Sequence, residues 1–323
     1  MVSDTKWRQS LFKRRRTVKR ARSAAGLAVW LAVFSISGFV AAQDSVARQD
    51  AAAPIRIVLS SHSFAGLNHN DALAAILTWA KVILEQRGIV TKVEARISAG
   101  PDELFEMLGS GWADAASMST EEFLELKAKP EFIYLAKKKN SFTERYVILV
   151  HRNSGIADVA SLRGHNLLLH NSPRMSMARA WLEKLLARSS PRLPETESVG
   201  MTRIDNASRT LLPVFFRQAD ACLVTAGFFE TASELNPQLQ KELRVLASSP
   251  EVVPTVFFFR PGYSSPAKEE LEAALLALHE TPAGRQVLTI FQCDEMVREP
   301  ITCLESSRQL RDEAHRSRHH GSN

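Results

Sequence analysis

The stretch Ala113-Asp114-Ala115-Ala116-Ser117-Met118-Ser119 has a counterpart about a hundred residues on, Ala219-Asp220-Ala221-Cys222-Leu223-Val224-Thr225. Each copy follows a helical pattern, reads as a short strand and ends on a hydroxyl residue that opens another helix. Ser119 is followed three residues later by Glu122, the spacing of a capping box that satisfies free N–H groups at a helix start. Two such units in one chain are what two related lobes look like in a sequence.

The surrounding pattern agrees. Residues 55–59 form an apolar run short enough for a buried strand. Residues 70–87 place Leu73, Ile76, Leu77, Ala80 and Leu84 on one helix face, and Gly88 ends that helix. Residues 90–97 alternate as a strand, and 101–108 are helical. Tyr146–His151 is strongly apolar and reads as a strand crossing from one lobe to the other. Beyond it come a strand at 166–169, a helix at 176–188, a Ser/Pro-rich connection at 189–198, a helix at 211–217 and a strand at 221–225. A last strand at 256–259 precedes a long helix at 266–280. Strands alternating with helices indicate an α/β fold with mostly parallel sheets.

Charge is unevenly spread. The chain carries 41 Lys/Arg and 35 Asp/Glu, but nine of those bases and only Asp4 among the acids lie in residues 1–42. Residues 43–323 therefore hold 32 bases against 34 acids, a formal charge of −2. A basic face for nucleic acid is not expected from such counts. The basic segment leads into an uncharged stretch at 24–40 and then Val40-Ala41-Ala42, small residues suited to cleavage before Gln43. Residues 1–42 read as a signal peptide, with an uncleaved signal anchor as the alternative. Either one places the remainder in the periplasm of a bacterial-type cell. Residues 43–53 read as a linker, and the polar residues 305–323 as a disordered tail.

Three cysteines suit an exported protein. Cys222 lies in an apolar run as a core residue. Cys293 and Cys303 are near enough in sequence for a disulfide, provided their Cα atoms approach to roughly 4.4–6.8 Å. Metal-binding spacings are absent, as are GxSxG, GxxxxGK[ST] and HExxH motifs. No enzyme activity, metal or cofactor is expected.

Three segments then resemble a known family. GIADVASLRGHNLLLHNSPRMS (155–176), RVLASSPEVVPTVFFFRPGYSSPAKEELEAALLALHETPAGRQVL (244–288) and GSGWADAASMSTEEFLE (109–125) are similar to elements of the phosphate/phosphite/phosphonate-type substrate-binding proteins of ABC transporters. Together they are spread across residues 109–288. The resemblance implies a two-lobed periplasmic-binding-protein fold whose hinge is two crossover segments, near 144–151 and 252–260. One lobe would comprise 54–145 with 258–300, the other 146–257. It also implies a monomer that captures a small anionic solute between its lobes and docks on an ABC permease. The alternative partner is a membrane sensor.

Ligands of open α/β sheets sit beyond the C-terminal strand ends, where helix starts offer N–H groups to anions. The residues expected there are Ser61, His62, Phe64, Met118, Ser119, Thr120, Tyr146, Ser172, Arg174, Ser176 and Thr225. The resembled family holds its anion with a Ser-x-Ser-Gly pattern at the second-lobe helix. Here Ser176 keeps one serine, while Arg174 and Met177 replace the other serine and the glycine. Arg174 is read either as a bidentate anion contact or as a side chain filling the phosphonate's place. That departure puts phosphonate itself in question.

Overall fold

Two β-sheets with helices on both faces build the protein, which this computed structural model describes over residues 52–64, 68–189 and 199–320. The leader, most of the linker and all but the first residue of the Ser/Pro-rich connection lie outside the described residues. Among the described residues no helix is long and apolar enough to cross a membrane.

β1 (Ala52–Ser60), β2 (Thr91–Ser98), β3 (Ala115–Ser119), β4 (Phe132–Lys137), β10 (Thr255–Phe259) and β11 (Glu295–Pro300) form a six-stranded sheet in the order β11-β4-β10-β3-β1-β2. β5 (Tyr146–His151), β6 (Asn166–His170), β7 (Gly200–Ile204), β8 (Ala221–Thr225) and β9 (Leu243–Ser248) form a second sheet in the order β7-β6-β8-β5-β9. The sheets share one plan. β2-β1-β3 and β7-β6-β8 are parallel triplets, each continued by an antiparallel strand, β10 or β5, that enters from the other lobe's side of the chain.

The two repeated stretches occupy equivalent places as β3 and β8, and their conserved-looking letters do matching work. Asp114 accepts the backbone N–H of Arg56 on β1 at 3.0 Å, and Asp220 accepts that of Asn166 on β6 at 2.9 Å. Each carboxylate ties the central strand of its triplet to the neighbouring one. At the far ends, Ser119 completes the capping box of α3 (Thr120–Glu125), and Thr225 caps α6 (Ala226–Leu235) by accepting the Phe228 N–H at 3.2 Å. Aspartate at the strand start and hydroxyl at its end are thus structural in both lobes.

Side-chain alternation sorts the first lobe's core onto two faces. Ile57, Leu59, Tyr134 and Phe259 pack with α1 (His69–Gln86), α8 (Pro266–Leu276) and α9 (Pro282–Ile290). Val58, Met118, Ile133, Leu135 and Phe258 face α2 (Pro101–Gly109) and α3. The Cys293–Cys303 disulfide that the sequence leaves open is not formed: both thiols are free. Cys293 is buried on the α1/α8/α9 face and Cys303 packs on the opposite one, so the sheet stands between them.

The long helix expected at 266–280 stops at Leu276. A 3-10 turn over Leu278–Glu280 redirects the chain into α9, and Gly284 makes the turn fit. A Cβ at Gly284 would lie 2.1 Å from the Leu278 carbonyl oxygen, a backbone atom that cannot swing away. Gly284→Ala is expected to lower stability by about 1–3 kcal/mol through overpacking. Chemical denaturation measures it, and an unchanged midpoint would show that the turn yields freely.

In the second lobe, α4 (Ala178–Ser189) covers one face, packing Trp181 and Leu182 with Tyr146, Ile148 and Leu167. α5 (Ala207–Phe215), α6 and α7 (Pro237–Glu242) cover the other. Residues 138–145 and 249–254 connect the sheets and run side by side: Glu144 and Val252 exchange backbone hydrogen bonds of 2.7 and 2.9 Å.

A third link overturns the expectation of a disordered tail. Glu305–His320 is a helix, α10. Just before it Leu304 enters the first lobe's core, while Leu310 enters the second lobe's core. Ser307 Oγ accepts the Val253 N–H at 2.8 Å, and Glu313 pairs with Lys184 and Arg188 of α4. The helix therefore straps both lobes and one connection together.

Candidate functional site

Between the lobes lies a polar cleft of about 460 Å³. The first lobe contributes His62, Ser119 and Glu121, and the second contributes the segment around His170–Ser176 together with Arg179, Glu183 and Arg203. These residues gather because parallel strands of each sheet end at the cleft. His62 follows β1 in a 3-10 turn, Ser119 closes β3, His170 closes β6, and Arg203 sits near the end of β7.

His62 is held from behind. Its Nδ1 lies 2.8 Å from Glu122 Oε1, which also accepts from Ser60 Oγ at 2.7 Å. The other carboxylate oxygen, Oε2, accepts the Ser119 N–H and the Ser119 hydroxyl, both at 2.8 Å. Burial alone would push the Glu122 carboxyl up. The hydrogen bonds from His62, Ser60 and Ser119 outweigh it and hold Glu122 below its ordinary range. The hydrogen bond to Glu122 in turn raises His62 above its usual value, against the smaller opposing effect of burial. The charged form of the ring is thereby favoured, and the ring is held by Nδ1 while the rest of it stays exposed at the cleft.

Across the cleft, burial lowers His170, which favours its neutral form, and its Nδ1 has no hydrogen-bond partner among the described residues. Arg179 pairs with Glu183 at 2.8 Å along α4. Arg203 is exposed on edge strand β7 and makes no ion pair among the described residues. Two arginines and the His62 ring thus face two carboxylates, Glu121 and Glu183, with serine hydroxyls between them. Such a lining suits an anion of a few heavy atoms with hydrogen-bond acceptors. Among the described residues no three His, Cys, Asp or Glu gather as a metal site.

Of the residues expected at the site, His62, Ser119, Ser172 and Ser176 line the cleft. Five lie elsewhere for clear reasons. Met118 is fully buried in the first lobe's core because it alternates with Ser119 and points to the opposite face. Tyr146 is fully buried in the second core, its hydroxyl donating to the Arg174 carbonyl at 3.1 Å. Thr120 is buried at the start of α3, and the Thr225 hydroxyl is used in capping α6. Arg174 turns from the cleft to the connection between the lobes, where its guanidinium pairs with Glu144. Ser61 is half-buried beside His62 without lining the cavity, and the side chain of Phe64 lies outside what is described.

Sequence reading missed Arg179 and Arg203. Arg179 lies one residue short of a helical turn beyond Ser176, a signal available once α4 is placed. Arg203 belongs to a strand, Gly200–Ile204, that is almost wholly exposed and carries no apolar run.

A family model for the periplasmic phosphonate substrate-binding proteins of ABC transporters matches residues 68–298. No curated protein sequence matches the chain. Several solved structures share its fold. The Xanthomonas citri protein XAC2383, solved with ATP, is 16% identical over 83% of this chain and 98% of its own, with a TM-score of 0.60. PhnD1 from Prochlorococcus marinus, solved with methylphosphonate, is 14% identical over 81% of this chain and 98% of its own, with a TM-score of 0.55. A binding component of a phosphonate transporter from Pseudomonas aeruginosa is 14% identical over 82% of this chain and 87% of its own, also at 0.55. Matched over most of its length and built on the same two-lobed plan, this chain belongs to the family of periplasmic phosphonate substrate-binding proteins of ABC transporters.

Proposed function

We propose that the protein captures a small organic or inorganic oxyanion, phosphonate-like in shape and charge, between its lobes and presents it to an ABC permease. The observation that supports this reading best is the His62–Glu122 pair: a carboxylate buried beneath an exposed imidazole keeps a cation at the cleft, facing Arg203 of the other lobe. Ser119, Ser172 and Ser176 supply neutral hydroxyls around it, and Asn171 an amide. Contacts from both lobes make the ligand favour whichever arrangement brings them together, and binding shifts the population toward it.

A thermal-shift screen tests the reading. Phosphate, phosphite, methylphosphonate, alkyl sulfonates, sulfate, small carboxylates and divalent metals are each added to the protein. A ligand at a hundred times its Kd stabilises the fold by about 2.7 kcal/mol. A selective shift with one oxyanion is expected and names its class. A shift with metals alone, or with none of the panel, overturns the proposal.

The pH dependence has a defined sign. His62 sits above the ordinary imidazole value of 6.5, so its charge is complete below that pH and is lost as pH rises through the raised value. Oxyanion affinity is therefore expected to fall as pH passes from 6 to 9. His62→Gln, which keeps a donor but cannot titrate, should flatten that fall. Calorimetric titration across the range measures both, and an unchanged slope in the variant removes His62 from the anion's surroundings.

A further inference from the structure

The first lobe holds a second cavity that the oxyanion does not need. It measures about 140 Å³ and lies between the sheet and α1, α8 and α9, with Leu59, Trp79, Phe257, Leu275, Val287 and Phe291 among its walls. Pro173, Arg174 and Pro254 close it on the side of the inter-lobe connection. The lining is mostly apolar, with Ser117, Thr255 and Arg174 as further polar members, and Ser63 stands apart from these. Ser63 is only 5% exposed, lines the cavity, and its Oγ has no hydrogen-bond partner among the described residues.

A buried hydroxyl without a partner is costly, and an apolar wall facing empty space forfeits its dispersion contacts. A single water would answer the first deficit but not the second. Both are met by one occupant, a compact apolar group carrying one hydrogen-bonding polar atom. Apolar cavities of roughly 150 Å³ accept a benzene-sized molecule, so the size fits a six-membered ring.

We propose that this cavity is a binding site for a small aromatic group bearing one polar atom directed at Ser63. It is distinct from the polar cleft but adjoins it. Pro173 and Arg174 line the cavity, while Ser172, Met175 and Ser176 of the same segment line the cleft. The group is either a free neutral molecule or the carbon substituent of the bound oxyanion. Only the second source rests on the function proposed above.

Calorimetric titration of the full chain with phenol tests the site itself. Saturable one-to-one binding is expected, weakened at least fivefold by Ser63→Ala and abolished by Ala136→Phe, which fills the cavity. Leu275→Phe serves as a second filling variant should the first fail to fold. Arg203→Ala should leave phenol binding intact while weakening any oxyanion, which separates failure of the cavity from failure of the cleft. Absence of phenol binding in the wild-type protein, or undiminished binding in a folded filling variant, overturns the proposal. 4-Hydroxyphenylphosphonate binding at least tenfold tighter than methylphosphonate, with the gain lost on filling, identifies the substituent as the occupant. Equal affinities with phenol binding retained identify a free molecule.

Discussion

Arg174→Ala should cost about 3–5 kcal/mol of folding stability, the range found when one partner of a buried ion pair is removed. The Glu144 and Arg174 side chains are only 10% and 15% exposed. Burial raises the Glu144 carboxyl above its ordinary range even with Arg174 beside it, which shows how little solvent supports the charge. Removing the guanidinium leaves a carboxyl that must either stay charged without a partner or take up a proton. The double replacement Glu144→Leu with Arg174→Met should recover most of the loss, because apolar residues of similar volume often substitute for a buried pair at little cost. Chemical denaturation of the three proteins decides it. A loss below about 1 kcal/mol would place the pair in the class of solvated surface bridges. Since Arg174 does not line the polar cleft, its replacement should act on stability and leave the folded protein's oxyanion affinity near that of the wild type.

Leu310→Ala should cost about 2–5 kcal/mol, the usual loss when a fully buried leucine is truncated. Leu310 is 1% exposed in the second lobe's core, beside α4. Gln309→Ala, on the exposed side of the same helix, is the control and should stay within about 0.5 kcal/mol. Equal, small effects at both positions would mean that α10 lies loosely on the surface.

That helix also shows where sequence reading stops. Residues 305–320 are so rich in charge that low hydrophobicity points to a solvated tail. Among its described side chains the folded segment buries a narrow stripe, Ser307, Leu310 and Ala314, at helical spacing. Three residues are too few to outweigh the charged ones in any window average, yet enough when two cores already wait beneath them. Strands with a dense apolar signature, such as Tyr146–His151, were legible because they are buried on both faces. The edge strands β7 and β11 were not: β7 is exposed for most of its length, and no residue of β11 is fully buried. The site follows the same divide. His62, Ser119, Ser172 and Ser176 could be placed from strand ends alone. The direction of Arg174 could not, because it depends on Glu144, thirty residues away on a connection whose path only the fold reveals. Met118 illustrates the finer limit: a residue can stand at the end of the right strand and still face the wrong side of it.

Under the capture between lobes proposed above, α10 has a mechanical meaning. Two extended connections alone would let one lobe swing about a line with little resistance. A helix anchored by Leu310 in one core, by Leu304 beside it in the other, and by Ser307 to the connection itself makes such a swing compress or pull a stiff rod. The work of that distortion is subtracted from whatever the ligand gains by touching both lobes. Ligand affinity can therefore be tuned up or down by residues of the last helix that line no part of the cleft.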